Sequence, residues 1–193
     1  MRWVAAMGWC LLCALSTGRA ASLSLPQAAR EQIGVTIGYD RAYRRLDYPG
    51  GDVDPATGVC TDVVIRAYRV LGVDLQQRVH DDMREHFEAY PKLWGLRATD
   101  RNIDHRRVPN LQTFFTRHGE RLPVTADAED YQPGDIVTWR LSNGLPHIGL
   151  VSDRHNRVGV PLILHNIGAG TQEQDLLFAF EITGHYRFPV APH

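Results

Sequence analysis

Gly58-Val59-Cys60-Thr61-Asp62-Val63-Val64-Ile65-Arg66-Ala67-Tyr68-Arg69-Val70-Leu71-Gly72 is the stretch from which this 193-residue chain is best read. Val63, Val64, Ala67, Tyr68 and Leu71 recur at helical spacing and Gly72 follows as a stop, so the spacing predicts a buried amphipathic helix that begins at Cys60. A cysteine in the first turn faces unpaired backbone N–H groups and the positive end of the helix dipole, and both favour the thiolate. Gly58 permits a tight approach turn, and the amide of Cys60 is placed to help hold an oxyanion. A core cysteine that simply starts a helix would occupy the same place. Position alone leaves both readings open.

Working outward, the chain opens with Met1-Arg2, an apolar run from Trp3 to Ser16, and Thr17-Gly18-Arg19-Ala20-Ala21. This is the pattern of a secretory signal peptide, and a run of roughly 14 apolar residues is shorter than the about 20 a membrane-spanning helix needs. Residues 1–20 are therefore read as a signal peptide and 21–193 as a single exported domain, periplasmic in expectation, with no stable membrane span. A domain of roughly 170 residues buries a core without disulfide or metal staples. Cys10 and Cys13 would leave with the signal, so Cys60 stands unpaired in a compartment that oxidises thiols, which demands an explanation. The formal net charge is −1, with no block of like charge, so nucleic acid is not an expected partner. Lys92 is the sole lysine and no P-loop is present.

The rest of the chain supplies helices first and strands afterwards. Ser24 before Leu25-Pro26-Gln27 reads as a helix start, with Gly34 ending it. A helix is predicted over Asp74–Ala89, from Leu75, Val79, Met83 and Phe87 at intervals of four. Another is predicted over Leu111–His118, capped by Asn110 and stopped by Gly119. Then the period changes. Ile136–Trp139, His147–Val151, Leu162–Ile167 and about Glu181–Phe188 are β-prone runs that read as a small antiparallel sheet, giving an α+β domain.

Two further elements carry chemistry. Pro133-Gly134-Asp135-Ile136-Val137-Thr138-Trp139 leads through a turn to Pro146-His147-Ile148-Gly149-Leu150-Val151, where a histidine at a strand start is rigidly placed to serve a thiol as base. Leu162-Ile163-Leu164-His165-Asn166 ends an apolar strand on polar residues that can orient that imidazole.

This order of a helix-start cysteine, a Pro-Gly-Asp strand, a His-hydrophobic-Gly strand and a strand ending in His resembles the papain-like NlpC/P60 cysteine peptidases. The resemblance implies their fold, N-terminal helices packed on a small antiparallel sheet, with Cys60 as nucleophile, His147 as base and His165 as the group that orients it; Asn166 is the alternative third member. It departs from that pattern in having Val59, not an acid, before Cys60, and Asp62 two residues after it. Nearly the whole chain after the signal is similar to the bacterial family catalogued as domain of unknown function 1287. That likeness is carried by Gly58–Val64, by Asn102-Ile103-Asp104-His105-Arg106-Arg107-Val108-Pro109-Asn110-Leu111 and by His165-Asn166-Ile167-Gly168-Ala169-Gly170.

The function expected is a cofactor-independent thiol hydrolase cleaving an amide bond in cell-wall peptide or another envelope substrate; a transferase uses the same acyl-enzyme. Asp62, His105, Arg106, Arg107 and Asn166 are the candidate substrate contacts, because arginine forks bind carboxylates in pairs of hydrogen bonds. A structural loop of arginines paired with neighbouring acids, with Asp62 stabilising the helix start, explains the same residues. His80, Asp81, Asp82 and His86 share one helix, but a solvated face accounts for them and no metal site is expected. No H-E-x-x-H motif supports a zinc hydrolase. The competing function is a non-catalytic envelope or peptidoglycan binding module on the same fold. The sequence leaves the oligomeric state open.

Overall fold

A computed structural model describes residues 23–190, so the signal peptide expected at 1–20 lies outside the described residues. Helix α1, Leu25–Arg30, starts as expected at Ser24: the Ser24 hydroxyl accepts from the Gln27 N–H while the Gln27 side chain accepts from the Ser24 N–H, and Pro26 occupies the first turn, where no donor is missed. Helix α2, Cys60–Val70, buries Val63, Val64, Ala67 and Tyr68 almost completely. Its first turn is closed by Asp62, whose Oδ2 accepts from the Val59 N–H at 2.6 Å.

Three helix boundaries differ from those predicted, the first being the end of α1, which passes into turns after Arg30 and does not run on to Gly34. Helix α3 covers Leu75–Glu85, capped by Asp74, and the chain leaves helical geometry at His86 before a 3₁₀ turn over Phe87–Ala89. The break aims Tyr90 back at α3, where its hydroxyl donates to Asp82 at 2.5 Å. Helix α4 covers Val108–His118, three residues longer at its start than predicted. Asn110 is not its cap: it lies inside the helix, buried, donating to the Asp104 carbonyl at 3.0 Å, and Pro109 supplies the start.

The four predicted strands form, and the described residues add two short ones. The strands are β1 Glu120–Leu122, β2 Ile136–Arg140, β3 Pro146–His155, β4 Pro161–His165, β5 Gln172–Gln174 and β6 Glu181–Arg187, in the order β1-β6-β2-β3-β4-β5 with every pairing antiparallel. The two additions are three-residue, largely polar edge strands without a hydrophobic period to announce them. Alternation along the central strands splits the sheet into two apolar faces. Ile136, Ile148, Leu150 and Leu164 pack with α1, α2 and α4, while Val137, Trp139, Val151 and Ile163 pack with Tyr131, Leu176 and Leu177. Helices on a small antiparallel sheet are the α+β class the sequence led us to expect. The start of α2 lies against β3, which brings Cys60 to the strand that carries His147.

Candidate active site

Cys60 is 4 % exposed at the first position of α2. Burial pushes its thiol up to about 11, the N–H of Ile148 opposes this by donating to the sulfur, and the charge of Asp62 raises it further; the Thr61 N–H and the Tyr39 hydroxyl also favour the thiolate. Ile148 directly follows His147 in β3, so the backbone that reaches the sulfur also fixes the histidine. Cys60 and His147 line the same cavity, of about 770 Å³, together with Tyr39, Arg41, Trp94 and Arg107 among others. No hydrogen bond joins the sulfur to the imidazole in this resting structure. Such contacts commonly tighten only when substrate is bound.

Behind His147 runs a relay. His147 Nε2 lies 3.1 Å from His165 Nδ1, and His165 Nε2 lies 3.0 Å from Gln174 Oε1. A carbonyl oxygen only accepts, so His165 donates from Nε2 and offers a lone pair at Nδ1. His147 must then donate from Nε2, which leaves its Nδ1 unprotonated: the form a general base requires. Burial, and then the neighbouring His165, lower His147 to about 3; burial lowers His165 to about 4 against the opposing effect of Gln174. Both rings are neutral at pH 7. Burial disfavours thiolate or imidazolium alone, but a proton passed from Sγ to His147 creates opposite charges side by side, which attract strongly in a dry site.

The structure brings together Cys60, His147 and His165 and separates them from much of the rest. Asn166 does not face His147: its Nδ2 donates to the carbonyls of Gly38 at 3.0 Å and Gly58 at 3.3 Å, and its Oδ1 accepts from the Gly168 N–H, so it pins the loop leading to Cys60. Asp62 is buried as helix cap and as ion-pair partner of Arg106, with both N–O distances 2.9 Å. Arg106 borders the cavity with its charge already matched. His105 is buried outside the cavity lining, and burial, aided by Arg106, lowers it to about 3. Arg107 borders the cavity with its guanidinium 5.0 Å from the centre of the Trp94 ring.

Elsewhere, His80 pairs with Asp104 at 3.0 Å, and Asp82 takes Arg117, His118 and Tyr90 as partners; among the described residues no cluster of three His, Cys, Asp or Glu is placed to hold a metal ion. Gln174 and Tyr39 were missed by the sequence reading. Gln174 sits on a polar three-residue strand paired with β4, and nothing in its local pattern marks it apart from Gln172. Tyr39 lies 21 positions before the cysteine in an irregular segment.

This is an α+β protein in which a helix-start cysteine and a strand histidine, backed by a second histidine and a glutamine, share one cleft. The chain belongs to the DUF1287 family, a domain of unknown function, which it matches over residues 26–188. It is 57 % identical over 169 residues to the uncharacterized protein YijF of Escherichia coli (strain K12), covering 88 % of this chain and 82 % of that one. Among solved structures it is similar to NlpC1 from Trichomonas vaginalis, at 16 % identity and a TM-score of 0.46, over 88 % of this chain and 46 % of that one. The present chain thus spans less than half the length of that protein. No helix among the described residues is long and apolar enough to cross a membrane.

Proposed function

We propose that the protein is an exported thiol hydrolase that cleaves an amide bond, with cell-wall peptide as its substrate. The observation that carries this reading is the chain His147, His165, Gln174, whose hydrogen-bond order leaves Nδ1 unprotonated on a His147 ring that borders the same cavity as Cys60. In this reading His147 takes the thiol proton as sulfur attacks the substrate carbonyl. The Cys60 N–H, which has no acceptor within the helix, helps hold the oxyanion. His147 returns the proton to the leaving amine, and water then releases the acyl group from sulfur. His165 holds the His147 ring. Export is supported by the signal-like residues 1–20, and the wall peptide by the motif order that resembles NlpC/P60 peptidases.

A second reading, a peptidoglycan-binding module without catalysis, is favoured by one observation: Cys60 is nearly enclosed and its thiol is pushed up by burial. Digestion of purified peptidoglycan by residues 21–193 and by the same chain with Cys60→Ala separates the two, with products read by mass spectrometry. New muropeptides from the wild type alone are expected. No products from either chain, with Cys60 inert to iodoacetamide, would leave the binding module.

A further inference from the structure

We propose that the cleft selects peptides carrying a free carboxylate close to the amide to be cleaved, and that Arg41 and Arg107 are the pair that bind it. The inference rests on the hydrolase reading above and names the substrate chemistry of the same cleft. Three arginines line the cavity beside Cys60 and His147, namely Arg41, Arg106 and Arg107, and no aspartate or glutamate does. Arg106 is neutralised by its two-pronged contact with Asp62. Arg41 and Arg107 have no carboxylate within 4.0 Å among the described residues; for the half-buried Arg107 this contrasts with Arg30, Arg66, Arg69 and Arg106, which are shielded from solvent and each have one. Asp100 lies within Coulombic reach of Arg107 but not in contact with it, and the two guanidinium groups face a cavity without an acid in its wall, a field that draws in anions.

The two differ in how firmly they are held. The Arg107 guanidinium lies over the face of Trp94, which fixes its plane, and its Nη1 is buried without a hydrogen-bond partner. A buried donor without an acceptor is uncommon in a folded protein, because it forgoes a hydrogen bond that water would have made. A planar carboxylate matches the fork of a guanidinium, and a shift of the Arg107 side chain towards the cavity gives Nη1 the acceptor it lacks. Arg41 is exposed at the same cavity and adds charge with freedom to adapt. Arg106 and His105, candidates on sequence grounds, are already engaged or buried away from the cavity, so recognition falls to Arg107 and a residue the sequence did not single out.

The test compares soluble muropeptides with free stem carboxylates against the same muropeptides amidated with ammonia. Cleavage is followed in the wild type, Arg41→Gln, Arg107→Gln and the double variant, and binding to Cys60→Ala is measured by calorimetry. Loss of a charge-assisted hydrogen bond predicts at least about tenfold slower cleavage of the amidated form by the wild type, and a similar loss on the free form in Arg107→Gln. The double variant should treat both forms alike. Equal cleavage of the two forms by the wild type, or an undiminished preference in the double variant, overturns the proposal while the hydrolase reading stands. If the wild type cleaves neither form, the hydrolase reading fails, and calorimetry decides the site alone. Tighter binding of the free form that vanishes with Arg107→Gln supports it, whereas equal or undetectable binding of both forms overturns it.

Discussion

Two histidines on one sheet invite comparison. His185, on β6, has both ring nitrogens occupied: Nε2 lies 2.8 Å from Asp135 Oδ2 and Nδ1 3.0 Å from the Pro123 carbonyl. Arg187 holds the same carboxylate, and the Tyr131 ring stacks on the imidazole. His147, on β3, is equally buried, yet one nitrogen alone is engaged, by His165, and the ring borders the cavity with Cys60. The Asp–His pair has the residue types of a catalytic dyad and the connectivity of a brace. The His–His pair lacks an acid but leaves a lone pair unused. On the proposed reading, reactive capacity follows from a lone pair left free beside a thiol, not from the presence of a histidine and an acid.

The comparison breaks most visibly if the wrong histidine is removed. On the hydrolase reading, Cys60→Ala and His147→Gln should each lower hydrolysis by about a thousandfold or more, since each removes one of two groups that would act as a unit. Product formation per folded molecule measures it. Asp135→Asn, by contrast, should leave hydrolysis per folded molecule unchanged and cost roughly 3 kcal/mol of stability, because it strands Arg187 and His185 around a neutral group. Urea unfolding followed by fluorescence reads that cost. A smaller effect sharpens the relay. Gln174→Leu should slow hydrolysis roughly tenfold by freeing the His165 tautomer, and Gln174→Glu, which keeps an acceptor, should restore most of the rate.

Acid should weaken the fold through the His147–His165 pair. His147 and His165 are held below the ordinary histidine range in the fold, so their stabilising contribution is present above about pH 6.5 and is lost as the pH falls towards 3 to 4, where the unfolded chain gains protons that the fold refuses. The slope is about 1.4 kcal/mol per pH unit for each such ring, and His147→Gln should flatten it. Thermal melts between pH 7 and pH 4 provide the check.

Much of this architecture was legible because it is periodic. The helix beginning at Cys60 announces itself through buried residues at helical spacing and the strands carrying His147 and His165 through short β-prone apolar runs, and Cys60 is the one cysteine among the described residues. The partners of polar side chains were not legible. Asn110 looked like a cap until Pro109 took the start of α4, and Asn166 looked like a catalytic neighbour until its amide was found donating to Gly38 and Gly58. Asp62 and Arg106 neutralise one another across 44 positions of chain, and Gln174 reaches His165 only because β5 pairs with β4. Such contacts are set by packing between distant segments, to which local periodicity is blind.

The most direct test of the account is the rate of muropeptide release from purified peptidoglycan by four chains side by side: wild type, Cys60→Ala, His147→Gln and His185→Gln, each shown to be folded by circular dichroism. The account predicts products from the wild type and His185→Gln and none from the other two. Products from His147→Gln at the wild-type rate, or their loss in a folded His185→Gln, would contradict it.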